Sequence, residues 1–317
     1  MTAVGAGPVA GAASVAAIEL KSVSRWYGNI VAVNEVSFRL GSGITGLLGP
    51  NGAGKTTILH MLSGLLKPSN GEVAVLGRPV WKNPEMYRDL GLVPERESVY
   101  PFLTGLEFVR LSARLHGLAD PDAAAARAIV AVELDDVKDR PTGGYSKGMK
   151  QRVKIAAGIV HDPRVLLLDE PFSGADPRQR LRMMAMLRRM AEEGKTIVFS
   201  SHILEEVERL AENILVIVSG RLAAAGDFRE IRRLMTDRPH SLMLKSSDNR
   251  RLAAALLAQP CVFGAEIDSE RLSVRSSDLA VFARVAPRVA REAGVTLFEL
   301  RPTDESLESV FSYLVGR

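Results

Sequence analysis

The sequence predicts an α/β protein built on a mostly parallel sheet, followed by a smaller α+β unit. Three observations carry this expectation. Val165-Leu166-Leu167-Leu168 and Thr196-Ile197-Val198-Phe199 are short, unbroken apolar runs, the pattern of strands buried on both faces. Between them lies Pro177 to Glu193, a helical stretch rich in Arg and Met. Strand, helix, strand in that order implies a parallel crossover. Residues 240–317 then run strand, helix, strand, strand, helix, strand, which suggests a ferredoxin-like βαββαβ unit.

Residues 1–16 are uncharged and rich in Ala and Gly. They lack the basic start and strong apolar segment of a secretion signal, so a flexible tail is expected. Ile18-Glu19-Leu20 and Ala32 to Phe38 alternate apolar and polar residues, as in a half-exposed sheet. Gly43 to Leu48 is a short strand ending in a Gly-rich loop. Thr56 to Leu66 reads as a helix with Ile58, Leu59, Leu62 and Leu65 on one stripe. A helical subdomain is expected over about residues 100–160, including the Ala123 to Ala128 run. Ile214 to Ser219 and Leu222 to Ala225 form a hairpin around Gly220-Arg221, and a charged helix covers Phe228 to Met235. The turn-rich Thr236-Asp237-Arg238-Pro239 marks a boundary, giving a first domain over 17–237 and a second over 240–317. In the second, strands are expected at Leu242–Leu244, Val262–Ile267, Leu272–Val274 and Val295–Leu300. Helices are expected at Arg250–Ala258, Leu279–Ala293 and, amphipathically, Leu307–Leu314.

The bulk numbers narrow the function classes. Of 317 residues, 46% are hydrophobic, enough for large cores. The 41 basic and 37 acidic residues leave a net charge of +4, without the concentrated basic footprint of a nucleic-acid binder. One cysteine, Cys261, rules out an internal disulfide. The five histidines show no metal-ligand spacing. No apolar run reaches the ~20 residues needed to span a bilayer.

Gly49-Pro50-Asn51-Gly52-Ala53-Gly54-Lys55-Thr56, followed by Thr57, matches G-x-x-x-x-G-K-[ST] between an expected strand and an expected helix. Glycines at 49, 52 and 54 let backbone N–H groups turn inward around phosphate oxygens. The helix that follows adds the positive end of its dipole. Lys55 offers a compact cation to the β and γ phosphates, and the Thr56 hydroxyl offers Mg²⁺ an oxygen. Asp169 and Glu170 end the apolar run at Leu168, on the edge where open α/β sheets gather ligands. Asp169 would hold Mg²⁺ directly or through water, and Glu170 would act as general base toward an attacking water.

With both elements present, the sequence resembles the ABC ATPases from Ile18 to Asp237, and more selective elements support this. Tyr145-Ser146-Lys147-Gly148-Met149-Lys150-Gln151-Arg152 resembles the family's signature loop, usually L-S-G-G-Q; Tyr145, Lys147 and Met149 depart from it. Ser146 can cap the helix behind it, leaving N–H groups free for a γ-phosphate. His202, after Ser201, resembles the switch histidine, and Asp176 in Ser173-Gly174-Ala175-Asp176-Pro177 resembles the residue of the loop between two ATP sites. Glu95, after Leu92-Val93-Pro94, stands where the family usually has a Gln that bonds Mg²⁺; a carboxylate also suits a hard cation. Of Trp26 and Tyr27, the resemblance points to Tyr27 as the ring that stacks on adenine.

The resemblance implies a P-loop NTPase core with an antiparallel β edge, ATP and Mg²⁺ as cofactors, and catalytic roles for Lys55, Glu170 and His202. It implies a homodimer on ATP binding, with residues 146–149 of one copy covering the ATP of the other. It also implies a transmembrane permease on a separate chain and a place on the cytoplasmic face of the membrane. The tail ending in Glu305-Ser306-Leu307-Glu308-Ser309-Val310-Phe311 is similar to those of ABC exporters of drugs, ions or polysaccharides, which favours export. A soluble ABC ATPase acting on ribosomes or DNA is the alternative. Those proteins usually carry two cassettes or a long coiled-coil insertion, neither of which is visible here.

Overall fold

The computed structural model describes residues 16–96, 99–227, 240–268 and 271–302. The chain divides into two compact units after Asp227. The helices expected at Phe228–Met235 and Leu307–Leu314, the break at Thr236–Pro239, and the tail expected at 1–16, except Ala16, lie outside the described residues.

The first unit holds two sheets. One runs β10-β9-β3-β8-β7-β6, with β3 (Gly43–Leu48), β6 (Leu90–Val93), β7 (Val165–Leu168), β8 (Thr196–Ser201), β9 (Asn213–Val218) and β10 (Arg221–Gly226). All its pairings are parallel except β9 with β10. Every residue of β7 and β8 is buried, as their unbroken apolar runs require. The other sheet is antiparallel in the order β2-β1-β4-β5. Its strands are β1 (Ile18–Tyr27), β2 (Ile30–Leu40), β4 (Asn70–Val75) and β5 (Arg78–Pro79). A shared core of Val33, Val36, Leu47, Ile58, Leu59, Leu62, Leu167 and Leu215 joins these layers.

Helix α1 (Lys55–Leu62) is shorter than the expected Thr56–Leu66. Gly64, at φ +72°, turns the chain where a Cβ would lie 2.8 Å from the Val80 carbonyl oxygen, and Leu65 is 58% exposed instead of completing the stripe. The helical subdomain contains α2 (Gly105–Leu115), α3 (Pro121–Ala131) and α4 (Lys147–Ile159). Thr104 and Glu107 form a reciprocal capping box on α2, while Asp120 and Ser146 cap α3 and α4. Helices α5 (Pro177–Glu192) and α6 (Leu204–Leu210) complete this unit.

His116, at the end of α2, stacks on His161, just past α4, with centroids 3.6 Å apart and planes within 6°. His161 Nε2 lies 3.2 Å from the Leu90 carbonyl oxygen. A carbonyl only accepts, so Nε2 carries a proton. Burial, followed by the neighbouring His116, pushes His161 down to about 4, and burial also lowers His116. An unfolded histidine, at about 6.5, binds its proton more readily, so acid favours unfolding here. Stability should fall by up to roughly 3 kcal/mol as pH drops from about 6.5 toward 4. Urea titrations of the chain and of His161→Phe across that window check this: the variant should show the shallower decline.

The second unit consists of β11 (His240–Ser246), α7 (Asn249–Leu257), β12 (Val262–Asp268), β13 (Arg271–Ser276), α8 (Leu279–Glu292) and β14 (Leu297–Pro302). Its antiparallel sheet is ordered β12-β13-β11-β14. Asp248 and Asp278 cap the two helices. Their inner faces cover a core of Leu242, Leu244, Leu252, Leu256, Leu272, Val274 and Phe282.

Candidate nucleotide site

The loop between β3 and α1 is shaped by steric exclusion. A Cβ on Gly49 would come within 2.4 Å of the Ile217 carbonyl oxygen, and one on Gly54 (φ +103°) within 2.5 Å of the Ala32 carbonyl oxygen. Both contacts are far inside van der Waals range, so only glycine fits. Inside this turn, the Lys55 ammonium donates to the carbonyl oxygens of Gly49 at 2.8 Å and Pro50 at 3.2 Å. It also lies 3.8 Å from Glu170 Oε1. Burial lowers the Lys55 ammonium below its ordinary value, and the carboxylates of Glu170, Asp169 and Glu95 oppose that.

Asp169 and Glu170 follow β7, and β8 lies between that strand and β3. Thr56 Oγ1 donates to Asp169 Oδ2 at 2.7 Å. Ser200 Oγ donates to Asp169 Oδ1 at 2.5 Å and accepts from the Glu170 N–H at 2.9 Å. Glu170 itself has φ +48°, a left-handed backbone that costs a non-glycine residue on the order of 1 kcal/mol and persists only where neighbours enforce it. His202 Nδ1 lies 3.0 Å from each Glu170 carboxylate oxygen. Ala32, Asn51, Gly52, Gly54, Lys55, Thr56, Thr57, Glu95, Asp169, Glu170 and His202 line one cavity of about 350 Å³.

The structure therefore gathers most of the expected site residues. Gly49, Pro50 and Ala53 build the loop without lining the cavity. Tyr27 also stands outside that lining, at the end of β1; the residue is 47% exposed and the Arg25 guanidinium lies 4.7 Å from its ring centroid. Residues 146–149 form a separate cluster with the Ser173–Asp176 loop. Ser146 Oγ accepts from the Met149 N–H at 3.2 Å, and Asp176 Oδ1 from the Gln179 N–H at 2.8 Å. A Cβ on Gly148 would lie 2.6 Å from Gln179 Oε1, and one on Gly174 2.4 Å from Lys147 Cδ. Ser200 was not foreseen; a hydroxyl inside a fully buried apolar strand was the signal for it. A larger cleft of about 700 Å³ lies away from the phosphate loop, lined by Tyr87, Arg88, Pro94, Phe108, Leu115, His116 and Lys154 among others.

The family model described as "ABC transporter" matches residues 33–173. Over 314 residues the chain is 35% identical to "Nod factor export ATP-binding protein I" of Burkholderia orbicola, covering 96% of this chain and 98% of that protein. The chain belongs to the ABC transporter ATP-binding proteins. The protein of the same name in Rhizobium etli is 32% identical over 315 residues, covering 95% and 94% of the two chains. Among solved structures, this ABC ATPase resembles "Structure of ATP binding subunit of ABC transporter", with TM-score 0.64 and 30% identity over 69% of this chain and 92% of that one. It also resembles the dimeric bacterial ABC cassette MJ0796, with TM-score 0.62 and 27% identity over 66% and 98%. As an ABC cassette the chain binds and hydrolyses ATP. Among its described residues no helix is long and apolar enough to cross a membrane.

Proposed function

We propose that this ABC ATPase powers export through a permease on a separate chain, working as an ATP-clamped homodimer on the cytoplasmic face of the membrane. The observation that carries the catalytic part is the convergence of Lys55, Thr56, Asp169, Glu170 and His202 on one cavity. Export is favoured by similarity over nearly the whole length to proteins named for Nod factor export. The cargo follows from the permease, and the 240–302 unit is an accessory domain of the cassette.

Hard oxygens suit Mg²⁺, and the site offers them: the Thr56 hydroxyl and Asp169 carboxylate already touch, with Glu95 on the same cavity. When bound there, Mg²⁺ would neutralise charge on the β and γ phosphates. Lys55 would exchange its contacts with the Gly49 and Pro50 carbonyls for phosphate oxygens. Glu170 would orient the attacking water and accept its proton. His202 holds the Glu170 carboxylate through Nδ1, which leaves Nε2 for a γ-phosphate oxygen. Ser146, Lys147, Gly148 and Met149 of a second copy would cover the same phosphate, with Asp176 lining the seam between copies. Tyr27 would stack on the adenine. Charge-assisted bonds from two chains then favour the closed dimer, and hydrolysis releases it. The 700 Å³ cleft includes Pro94, next to Glu95, and would receive a segment of the permease.

Co-expression with a candidate permease of about six apolar ~20-residue spans tests this reading. The expected result is recovery of the chain with membranes and permease-dependent stimulation of ATP hydrolysis. A chain that stays in the soluble fraction and sediments with ribosomes would overturn it.

A further inference from the structure

Lys154 lies on α4, two turns behind the Ser146 cap, and is 4% exposed. Its side chain leaves the helix toward the segment after β6. There the ammonium donates to the carbonyl oxygens of Pro94 at 2.7 Å, Glu95 at 3.0 Å and Arg96 at 3.1 Å. An ammonium carries three protons and accepts nothing, and three consecutive carbonyls lie within its donor reach. Past the end of β6 these carbonyls have no ladder partner, and although Glu95 and Arg96 are exposed, one buried side chain from another element donates to all three. A buried ammonium is a costly way to fill a helix position unless its contacts require it.

The contact below this latch is close. A Cβ on Gly91 would meet the Gly158 carbonyl oxygen at 2.3 Å, and one on Gly158 would meet Val93 Cγ2 at 2.7 Å. Strand β6 and helix α4 therefore touch backbone to backbone, and Lys154 extends that contact past the end of the strand. Lys154 and Pro94 both line the 700 Å³ cleft, whereas Glu95 lines the phosphate cavity. The latched segment separates the two.

We propose that Lys154 is a positioning residue that makes α4 and the Glu95 segment move as one body. The helix that meets the second copy's ATP would thereby fix where the Glu95 carboxylate stands toward the metal. This inference rests on the proposed function, specifically on Glu95 as a metal-facing group.

Lys154→Met keeps the apolar stem and removes the donors; Lys154→Arg keeps donors. In full-length, metal-free and nucleotide-free protein, amide hydrogen exchange at Glu95 and Arg96 should speed up at least tenfold in Lys154→Met and return toward the parent rate in Lys154→Arg. The Mg²⁺ concentration for half-maximal ATP hydrolysis should rise about tenfold in Lys154→Met, the usual scale for losing a ligand's support. ATP binding measured in EDTA should not change. In a double-mutant cycle, Lys154→Met should add nothing to Glu95→Ala, because both act through one side-chain ligand. Unchanged exchange, an unchanged Mg²⁺ requirement, or additivity in the cycle overturns the inference. If Glu95→Ala alone raises the requirement and Lys154→Met does not, the latch fails while the metal reading stands. If Glu95→Ala has no effect, the metal reading fails and the latch with it. Should Lys154→Met not fold, Lys154→Gln is measured in its place against the same outcomes.

Discussion

Replacing Glu170 by Gln is expected to leave ATP binding intact, slow hydrolysis by roughly 10²–10⁴-fold and trap an ATP-bound dimer. The amide has the size of the carboxylate and can still bond His202 Nδ1, now 3.0 Å from both carboxylate oxygens. It cannot take a proton from water. Lys55, 3.8 Å from Glu170 Oε1, also loses one of the charges that keep it protonated. The backbone at Glu170, φ +48°, is no harder for Gln, so the local turn is retained. Steady-state phosphate release, with size-exclusion chromatography in ATP, measures both effects. Unchanged turnover would remove Glu170 from the role of base.

Lys55→Ala should have the second large effect, on binding itself. Each charge-assisted bond from Lys55 to phosphate contributes about 1.5–3 kcal/mol. Losing two therefore weakens ATP affinity by about 100-fold or more. Folding should respond differently. Lys55 is 7% exposed and donates to two loop carbonyls, and burial already works against its charged form. Removing that charge should leave the melting temperature without nucleotide within a few degrees of the parent's or above it. Calorimetric titration with ATP, paired with thermal melts, separates the two effects. Normal affinity in the variant would refute the placement of the triphosphate.

The parts of the fold that proved readable were those where one physical demand dominates. The runs at Val165–Leu168 and Thr196–Phe199 are apolar because both faces of those strands are covered. Gly49 and Gly54 are glycine because carbonyl oxygens occupy the space of their Cβ atoms. Strand β6 was not recognised. It is four residues long and contains Gly91, which looks like a breaker in sequence and is needed because Gly158 of α4 presses on it. Strands β4 and β5 were also missed, since the exposed start of β4, Asn70-Gly71-Glu72, and the two residues of β5 have no periodicity to read. At the site, Lys55, Thr56, Asp169 and Glu170 were legible from local motifs. Ser200 and Lys154 were not, because their partners lie 31 and about 60 positions away and only the tertiary fold brings them together.

The place of β8 between β3 and β7 has a mechanical consequence. Neighbouring strands stand ~4.8 Å apart, so the backbones on either flank are held roughly 10 Å from one another by the sheet itself. Shortening or lengthening a side chain does not alter that gauge. A slip of β8 along its neighbours by one residue, ~3.3 Å, would carry His202 past both flanks at once. Such a slip would break the ladders on both sides and turn every buried side chain of β8 to the opposite face, so the sheet holds His202 at a fixed height beside Glu170.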